Sequence, residues 1–141
     1  MNIKQFLKQA YRLNELIQCN KQELDELHQL STSLPGTDYS KDRVQTSASG
    51  DAGYTKIVEK IIELEDAIKS DVEKMLSLKL EIRNVINAVP DNEERLLLHL
   101  RYLNFMVWED ICDDMNVSMR TAHRIHSLAL QSASESWHTL S

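Results

Sequence analysis

The chain has 141 residues, with 16 Lys and Arg against 22 Asp and Glu, and its formal net charge is −6. This acidic balance argues against a protein that coats nucleic acid non-specifically, although it allows one local basic surface. With only 3 Gly and 2 Pro, helix formers dominate, so an all-α protein is expected. No apolar run reaches the length of a membrane span, and the N-terminus lacks a signal-peptide pattern. A cytoplasmic protein without membrane association is therefore expected.

The first predicted element is a long amphipathic helix over residues 2–34. Apolar residues recur there at alternating steps of three and four, which is the heptad spacing of a coiled coil. The positions on this seam are Ile3, Phe6, Ala10, Leu13, Ile17, Asn20, Leu24, Leu27, Ser31 and Leu34. We expect Leu7, Leu16 and Leu30 to widen the seam, and Pro35 to end the helix.

A polar linker is predicted over residues 35–53, followed by a second long helix over residues 54–89. The seam of that helix comprises Ile57, Ile61, Leu64, Ile68, Asp71, Met75, Leu78, Ile82, Val85 and Val89. Because the two seams match in length and spacing, residues 1–89 are predicted to form a long antiparallel coiled-coil hairpin that serves oligomerisation. The linker is long enough for a hairpin within one chain or one exchanged between subunits.

Each seam carries one polar residue, Asn20 in the first helix and Asp71 in the second. They lie at similar distances from the linker, so one hypothesis is that they share a layer and fix the register of the two helices. The alternative is that each lies in a hydrated part of the seam.

The third predicted helix follows Pro90. Asp91 and the acids after it suit a helix start, because negative charge is favourable at the positive end of the helix dipole. Leucines dominate the rest of this helix, which we expect to support the motif that follows. The trihelical domain is predicted to span residues 90–131, and residues 132–141 are predicted to be a polar tail.

The stretch from Trp108 to Leu130 has the spacing of a helix-turn-helix. Cys112 is a small residue at the place where the two helices must approach closely. Asn116 tolerates the left-handed conformation that ends a helix, and Ser118 is a good N-cap for the next one. Ala122 and Ile125 then lie on the inner face of the second helix.

Seven residues of this second helix and its cap are predicted to contact double-stranded DNA. They are Ser118, Met119, Arg120, Thr121, His123, Arg124 and Ser127. A recognition helix in the major groove places its readout residues at such positions. Residues 116–131 hold two Arg, two His and no acid, which favours a phosphate-facing surface. The alternative is an ordinary helical hairpin with a solvated face.

The segment from Asp91 to Leu130 resembles region 4 of bacterial sigma factors. The shared pattern is an acidic start, a Leu-rich helix ending in Arg-Tyr, a Trp step, a Val-Ser turn and a basic helix ending in Ala-Leu. The matching residues are Glu94-Arg95, Leu98, Arg101-Tyr102, Trp108-Glu109-Asp110-Ile111, Val117-Ser118 and Ala129-Leu130. The resemblance implies a helix-turn-helix domain that binds DNA and contacts RNA polymerase.

Nearly the whole chain is similar to phage and prophage regulators of the RinA and ArpU type. Those proteins join a coiled-coil N-terminal part, a polar linker and a C-terminal region-4-like domain. Their linker motif is matched here by Asp42-Arg43-Val44-Gln45-Thr46-Ser47. The resemblance implies a role in late-gene transcription in a bacterial host cell.

Three functions fit these features. The first is a sequence-specific DNA-binding transcriptional regulator, a late-gene activator, in which a homodimer or higher homo-oligomer supplies two half-sites. The second is a DNA-packaging protein like a small terminase subunit, which ring-shaped oligomers would distinguish. The third is an interaction module that binds RNA polymerase or a host enzyme through the acidic face of residues 91–115.

No enzyme activity, metal or cofactor is expected. His123 and His126 lie one turn apart, but a metal site needs further ligands from another element. Cys19 and Cys112 are expected to be small, reduced core residues, and no Gly-rich phosphate loop or nucleophile motif is present.

Overall fold

The protein is described by a computed structural model that covers residues 1–33 and 43–140, with side chains for residues 1–32 and 52–140. The helices are α1 (Ile3–Ser33), α2 (Arg43–Asn87), α3 (Asn92–Leu98), a π-helical segment (His99–Leu103), α4 (Trp108–Met115) and α5 (Met119–Leu140). These ranges contain no strand, so the all-α prediction is confirmed. Within the same ranges, no helix is both long enough and apolar enough to cross a membrane.

The predicted seams of α1 and α2 are the faces that the structure buries. Every seam position among the described side chains is buried or half-buried, and the two polar positions, Asn20 and Asp71, are half-buried. Leu7 is fully buried, as expected, but Leu16 and Leu30 are 50% and 52% exposed. The widened seam is thus wrong at these two positions, whereas Leu7 is covered by apolar residues of α2 and of the later helices.

The second helix begins earlier than the sequence indicates. Residues 43–53, predicted to belong to the linker, are the first turns of α2. They contain no proline, so nothing in the backbone prevents the helix from extending backwards. Residues 35–42, the remainder of the predicted linker, lie outside the described residues.

The chain divides into two compact units. The motif unit comprises Met1–Asn14 and the chain from Lys74 onward, whereas the middle unit comprises Glu15–Glu73. Among the described side chains of the middle unit, the buried apolar ones are Ile17, Ile61 and Leu64.

The motif unit has two clusters of buried side chains. The larger comprises Phe6, Leu7, Ala10, Ile82, Val85, Ile86, Val89, Leu98, Tyr102, Leu103, Ala129 and Ala133. The smaller comprises Leu97, Leu100, Ile111, Ala122 and Ile125. The larger cluster places the first turns of α1 beside the last turns of α2. In this cluster, these turns of α1 and α2 pack against the π-helical segment and α5.

This shared core crosses the predicted domain boundary at residue 90, because the motif unit includes residues from both sides of it. Phe6 of α1 and Ile82 of α2 are buried in the same cluster as Ala129 of α5. The apolar side chains Leu98, Tyr102 and Ala129 are thus covered by the ends of α1 and α2, which complete the core.

The predicted polar tail is also a helix, because α5 continues without interruption to Leu140. Ala129 and Ala133 are fully buried, and Trp137 stacks on Phe6 with ring centroids 5.0 Å apart. These residues recur at steps of four, which continues the inner face of α5. Ser132 donates a hydrogen bond to Glu94 Oε1 at 2.6 Å. A serine of this segment thus connects α5 to α3.

The third helix starts as predicted, since the Asp91 side chain accepts a hydrogen bond from the Glu94 N–H at 2.9 Å. The π-helical segment then ends in a tight loop, where Phe105 has a left-handed φ of 60°. Arg101 holds this loop by donating to the Met106 carbonyl at 2.8 Å. Cys19 and Cys112 are free thiols; Cys112 is half-buried, but Cys19 is exposed and is not the core residue expected.

Candidate nucleic-acid interface

The turn between α4 and α5 has a fixed backbone geometry. Asn116 adopts the left-handed conformation (φ 56°, ψ 49°), as its residue type predicts. The Val117 N–H donates to the Cys112 carbonyl at 3.0 Å and the Asn116 N–H donates to the Asp113 carbonyl at 3.3 Å. This pair of bonds is the Schellman motif, which satisfies carbonyls left free at a helix end. Val117 packs on the smaller core cluster and closes the space under the turn.

The start of α5 is capped by Ser118, as the sequence predicted for the N-cap. Its Oγ accepts a hydrogen bond from the Thr121 N–H at 3.1 Å and donates to Thr121 Oγ1 at 3.0 Å. The cap stabilises the first turn of the helix and fixes its direction relative to α4.

The predicted contact residues divide into exposed and half-buried groups. The exposed ones are Ser118, Met119, Arg120, His123, Arg124 and Ser127, and only Thr121 is half-buried. Ala122 and Ile125, predicted to face inward, are 0% and 5% exposed. The structure therefore brings six of the seven predicted residues to one outer face of α5.

Trp108, the first residue of α4, packs against this face. Its ring centroid lies 4.5 Å from that of His123 and 4.9 Å from that of His126. On another side the Arg101 guanidinium carbon lies 4.9 Å from the Trp108 ring centroid, a cation–π distance. This cluster limits the motion of His123, which is exposed but in contact with a large ring.

His126 is the buried polar side chain beneath the outer face. Its Nε2 is 2.7 Å from the hydroxyl of Tyr102, and the two rings stack with centroids 5.8 Å apart. Burial lowers the pKa of His126 to about 4, assisted by the positive charges of Lys4, His123, Arg101 and Lys8. Burial also raises the pKa of Tyr102 to about 12. A neutral phenol and a neutral imidazole thus share this hydrogen bond, which ties α5 to the π-helical segment.

The sequence predicted neither this bond nor the Trp108 cluster. Tyr102 and His126 are separated by 24 positions, and they meet only because the segment before α4 folds back on α5. The one available signal was the pair His123 and His126, both of which contact Trp108. Among the described residues, no group of three His, Cys, Asp or Glu could hold a metal ion.

Charge is distributed unevenly around the motif. The acids of α4 (Glu109, Asp110, Asp113 and Asp114) are all exposed. By contrast, the sequence from Asn116 to Ser134 contains no Asp or Glu. The first four turns of α5 can therefore meet an anionic partner without repulsion from an acid within them, and Glu135 lies in a later turn. The exposed acids of α4 favour a cationic partner.

The comparison with known proteins places the chain in one family. No curated protein and no solved structure matches it. A family model described as "Protein of unknown function (DUF1492)" matches residues 33–134, which is more than half of the chain. The family is known in phage and prophage-type proteins. Because this match covers more than half of the chain, the protein belongs to the DUF1492 family.

Proposed function

We propose that this protein is a sequence-specific DNA-binding transcriptional regulator, a late-gene activator of phage or prophage origin, with α5 as its recognition helix. The observation that carries the proposal is the outer face of α5. That face is free of acids, carries Arg120 and Arg124, and is held by a capped helix start and a fixed turn.

The side chains of this face suit contact with the major groove. Arg120 and Arg124 lie one turn apart, and an Arg that binds guanine through two hydrogen bonds supplies about 1–3 kcal/mol of discrimination. Met119 offers an apolar contact for a thymine methyl group. Ser118 and Thr121 lie at the helix N-terminus, whose partial positive charge favours a phosphate.

The finer assignment to regulators of the RinA and ArpU type, with a domain like sigma region 4, belongs to this proposal. It is supported by the order of elements, in which a leucine-rich helix, a short helix, a turn and a basic helix follow one another. The motif alone presents few cations, so we propose that a homodimer or higher homo-oligomer supplies a second half-site. Leu76 and Leu80, which are 56% and 64% exposed one turn apart on α2, offer apolar surface for such an association.

A second candidate function rests on the exposed acids of α4. A surface carrying Glu109, Asp110, Asp113 and Asp114 would bind a basic protein surface, such as one on RNA polymerase or a host enzyme. An activator would use both faces, with α5 on DNA and α4 on polymerase, whereas an interaction module would use only α4.

The test is binding to fragments of the genome that encodes the chain, at two salt concentrations. Arg120→Ala/Arg124→Ala is compared with the control Lys56→Ala/Lys60→Ala, which removes two exposed cations from the middle unit. We expect saturable, salt-sensitive binding to one fragment, lost in the first variant and kept in the control. A fragment upstream of late genes supports the activator, whereas a fragment at the packaging site, with ring oligomers, supports the packaging alternative. Equal binding by both variants, or no selected fragment, would contradict the proposal and favour the protein-interaction function.

A further inference from the structure

A row of aromatic and cationic side chains connects α1 to the recognition helix inside the motif unit. Tyr11 of α1 packs edge-on against Phe105, with ring centroids 5.8 Å apart. The guanidinium carbon of Arg101 lies 5.9 Å from the Tyr11 ring centroid and 4.9 Å from that of Trp108. Trp108 in turn contacts His123 on the outer face of α5. The row thus runs without a break from the third turn of α1 to the predicted DNA-contact residues.

Two lysines lie on the same side of α1 as Tyr11. Lys4, Lys8 and Tyr11 follow one another at steps of four and three, which places them within one narrow face of a helix. Lys4 is exposed and Lys8 is half-buried. Both positive charges contribute to lowering the pKa of His126, which agrees with their lying near α5.

The charge of this part of α1 differs from that of the rest of the chain. Residues 1–14 contain Lys4, Lys8 and Arg12 but no acid, in a protein of net charge −6. The acid-free start of α1 and the acid-free part of α5 belong to the same compact unit. Two cationic segments far apart in sequence are therefore brought together by the fold.

We propose that Lys4 and Lys8 of α1 contact the phosphate backbone of double-stranded DNA, and so extend the contact surface of α5 beyond the helix-turn-helix. This inference rests on the proposed function, since it names a second contact area for the same partner. Arg101 and Tyr11 are positioning residues, because their contacts join the helix that carries the lysines to Trp108, which contacts α5.

A contact of this kind strengthens binding without reading sequence. Each phosphate that a lysine neutralises releases counterions, and it steepens the dependence of log K on log salt by about 0.9. The two lysines should together contribute about 1.8 to the slope. Since backbone contacts do not distinguish bases, their loss should weaken selected and unselected DNA alike.

The experiment measures fluorescence anisotropy of two labelled duplexes, one with and one without the selected site, from about 50 to 200 mM NaCl. Lys4→Gln/Lys8→Gln is compared with Lys56→Gln/Lys60→Gln, which makes the same change of charge in the middle unit. We expect the first variant to lower the slope by about 1.8 on both duplexes, to weaken binding roughly tenfold or more, and to keep the preference for the site. The control should keep the wild-type slope.

Failure of the inference and failure of the proposed function give different results. If Lys4→Gln/Lys8→Gln keeps the wild-type slope while Arg120→Ala/Arg124→Ala loses site preference, the α1 contact is overturned and the proposed function stands. If wild-type protein shows no salt-dependent binding to either duplex, both are overturned.

A second measurement does not depend on the folding of a variant. Acetylation of wild-type lysines by a water-soluble reagent, followed by mass spectrometry with and without the duplex, reports which amines DNA covers. We expect protection of Lys4 and Lys8 and none of Lys56 and Lys60. Equal acetylation of Lys4 and Lys8 in both states would overturn the inference.

Discussion

The residue with the clearest physical consequence is His126, because it is buried as a neutral imidazole. An unfolded chain binds a proton at this side chain near pH 6.5, whereas the folded chain resists protonation until about pH 4. The unfolded state thus binds more protons in this window. The stability that the neutral group contributes is fully present above pH 6.5 and is lost as the pH falls from 6.5 towards 4.

The lowered pKa of His126 predicts a loss of stability on the order of 2 kcal/mol between pH 6.5 and pH 5. It is measured as the free energy of unfolding in urea at several pH values. His126→Gln cannot take up the proton, so its stability should change less over the same interval. Tyr102→Phe removes the hydroxyl that is hydrogen-bonded to His126 and should cost about 1–3 kcal/mol at pH 7.5. An identical pH slope in wild type and His126→Gln would contradict the prediction.

Single residues with a local role could be predicted from sequence, whereas residues with a tertiary role could not. Asp91, Asn116 and Ser118 act on backbone groups within three to five positions, so their residue types are sufficient. Tyr102 and His126 depend on a loop in which Phe105 takes a positive φ. That conformation is uncommon for an aromatic residue, so no local rule indicated it.

At the scale of elements, the cap of α5 is the feature whose loss should affect both stability and DNA binding. Ser118→Ala removes the acceptor of the Thr121 N–H and should cost about 1 kcal/mol of unfolding free energy. Ser127→Ala is the matched control, because the Ser127 hydroxyl bonds only back to the His123 carbonyl of its own helix, at 3.2 Å. Its cost should stay within about 0.5 kcal/mol. Thermal unfolding of both variants measures these costs. If Ser118→Ala lowered the unfolding free energy by no more than about 0.5 kcal/mol, as expected of the control, the cap would be dispensable.

The helices could be predicted where regular apolar spacing marks their buried faces. They were harder to predict where a polar composition alone suggested a tail. The seams of α1 and α2 coincide with the buried faces because burial is what holds such helices. The serine-rich end of the chain resembles a tail, yet Ala133 and Trp137 continue the buried stripe of α5. Alanine is an ambiguous signal, since it marks a close helix contact only when the neighbouring helix is known. Whether Asn20 and Asp71 fix the register of α1 and α2 stays a prediction.

For the whole molecule, the larger core cluster shows that the helices after Pro90 are completed by distant parts of the chain. A fragment from Pro90 to Leu140 keeps the smaller cluster but loses the α1 and α2 members of the larger one. Leu98, Tyr102 and Ala129 would then be exposed on one side, and a domain of about 50 residues can rarely tolerate such a loss. The sequence suggested an independent domain because the motif is local, whereas its core is not.

We therefore expect the fragment to show no cooperative thermal transition, although the full chain unfolds cooperatively. Circular dichroism during heating measures both. Phe6→Ala in the full chain is the graded control, since truncating one core aromatic ring costs about 3–5 kcal/mol. That variant should unfold at a lower temperature without losing cooperativity. A fragment that melts sharply near the temperature of the full chain would instead establish an autonomous motif, in which α1 serves DNA contact alone and contributes no support to the core.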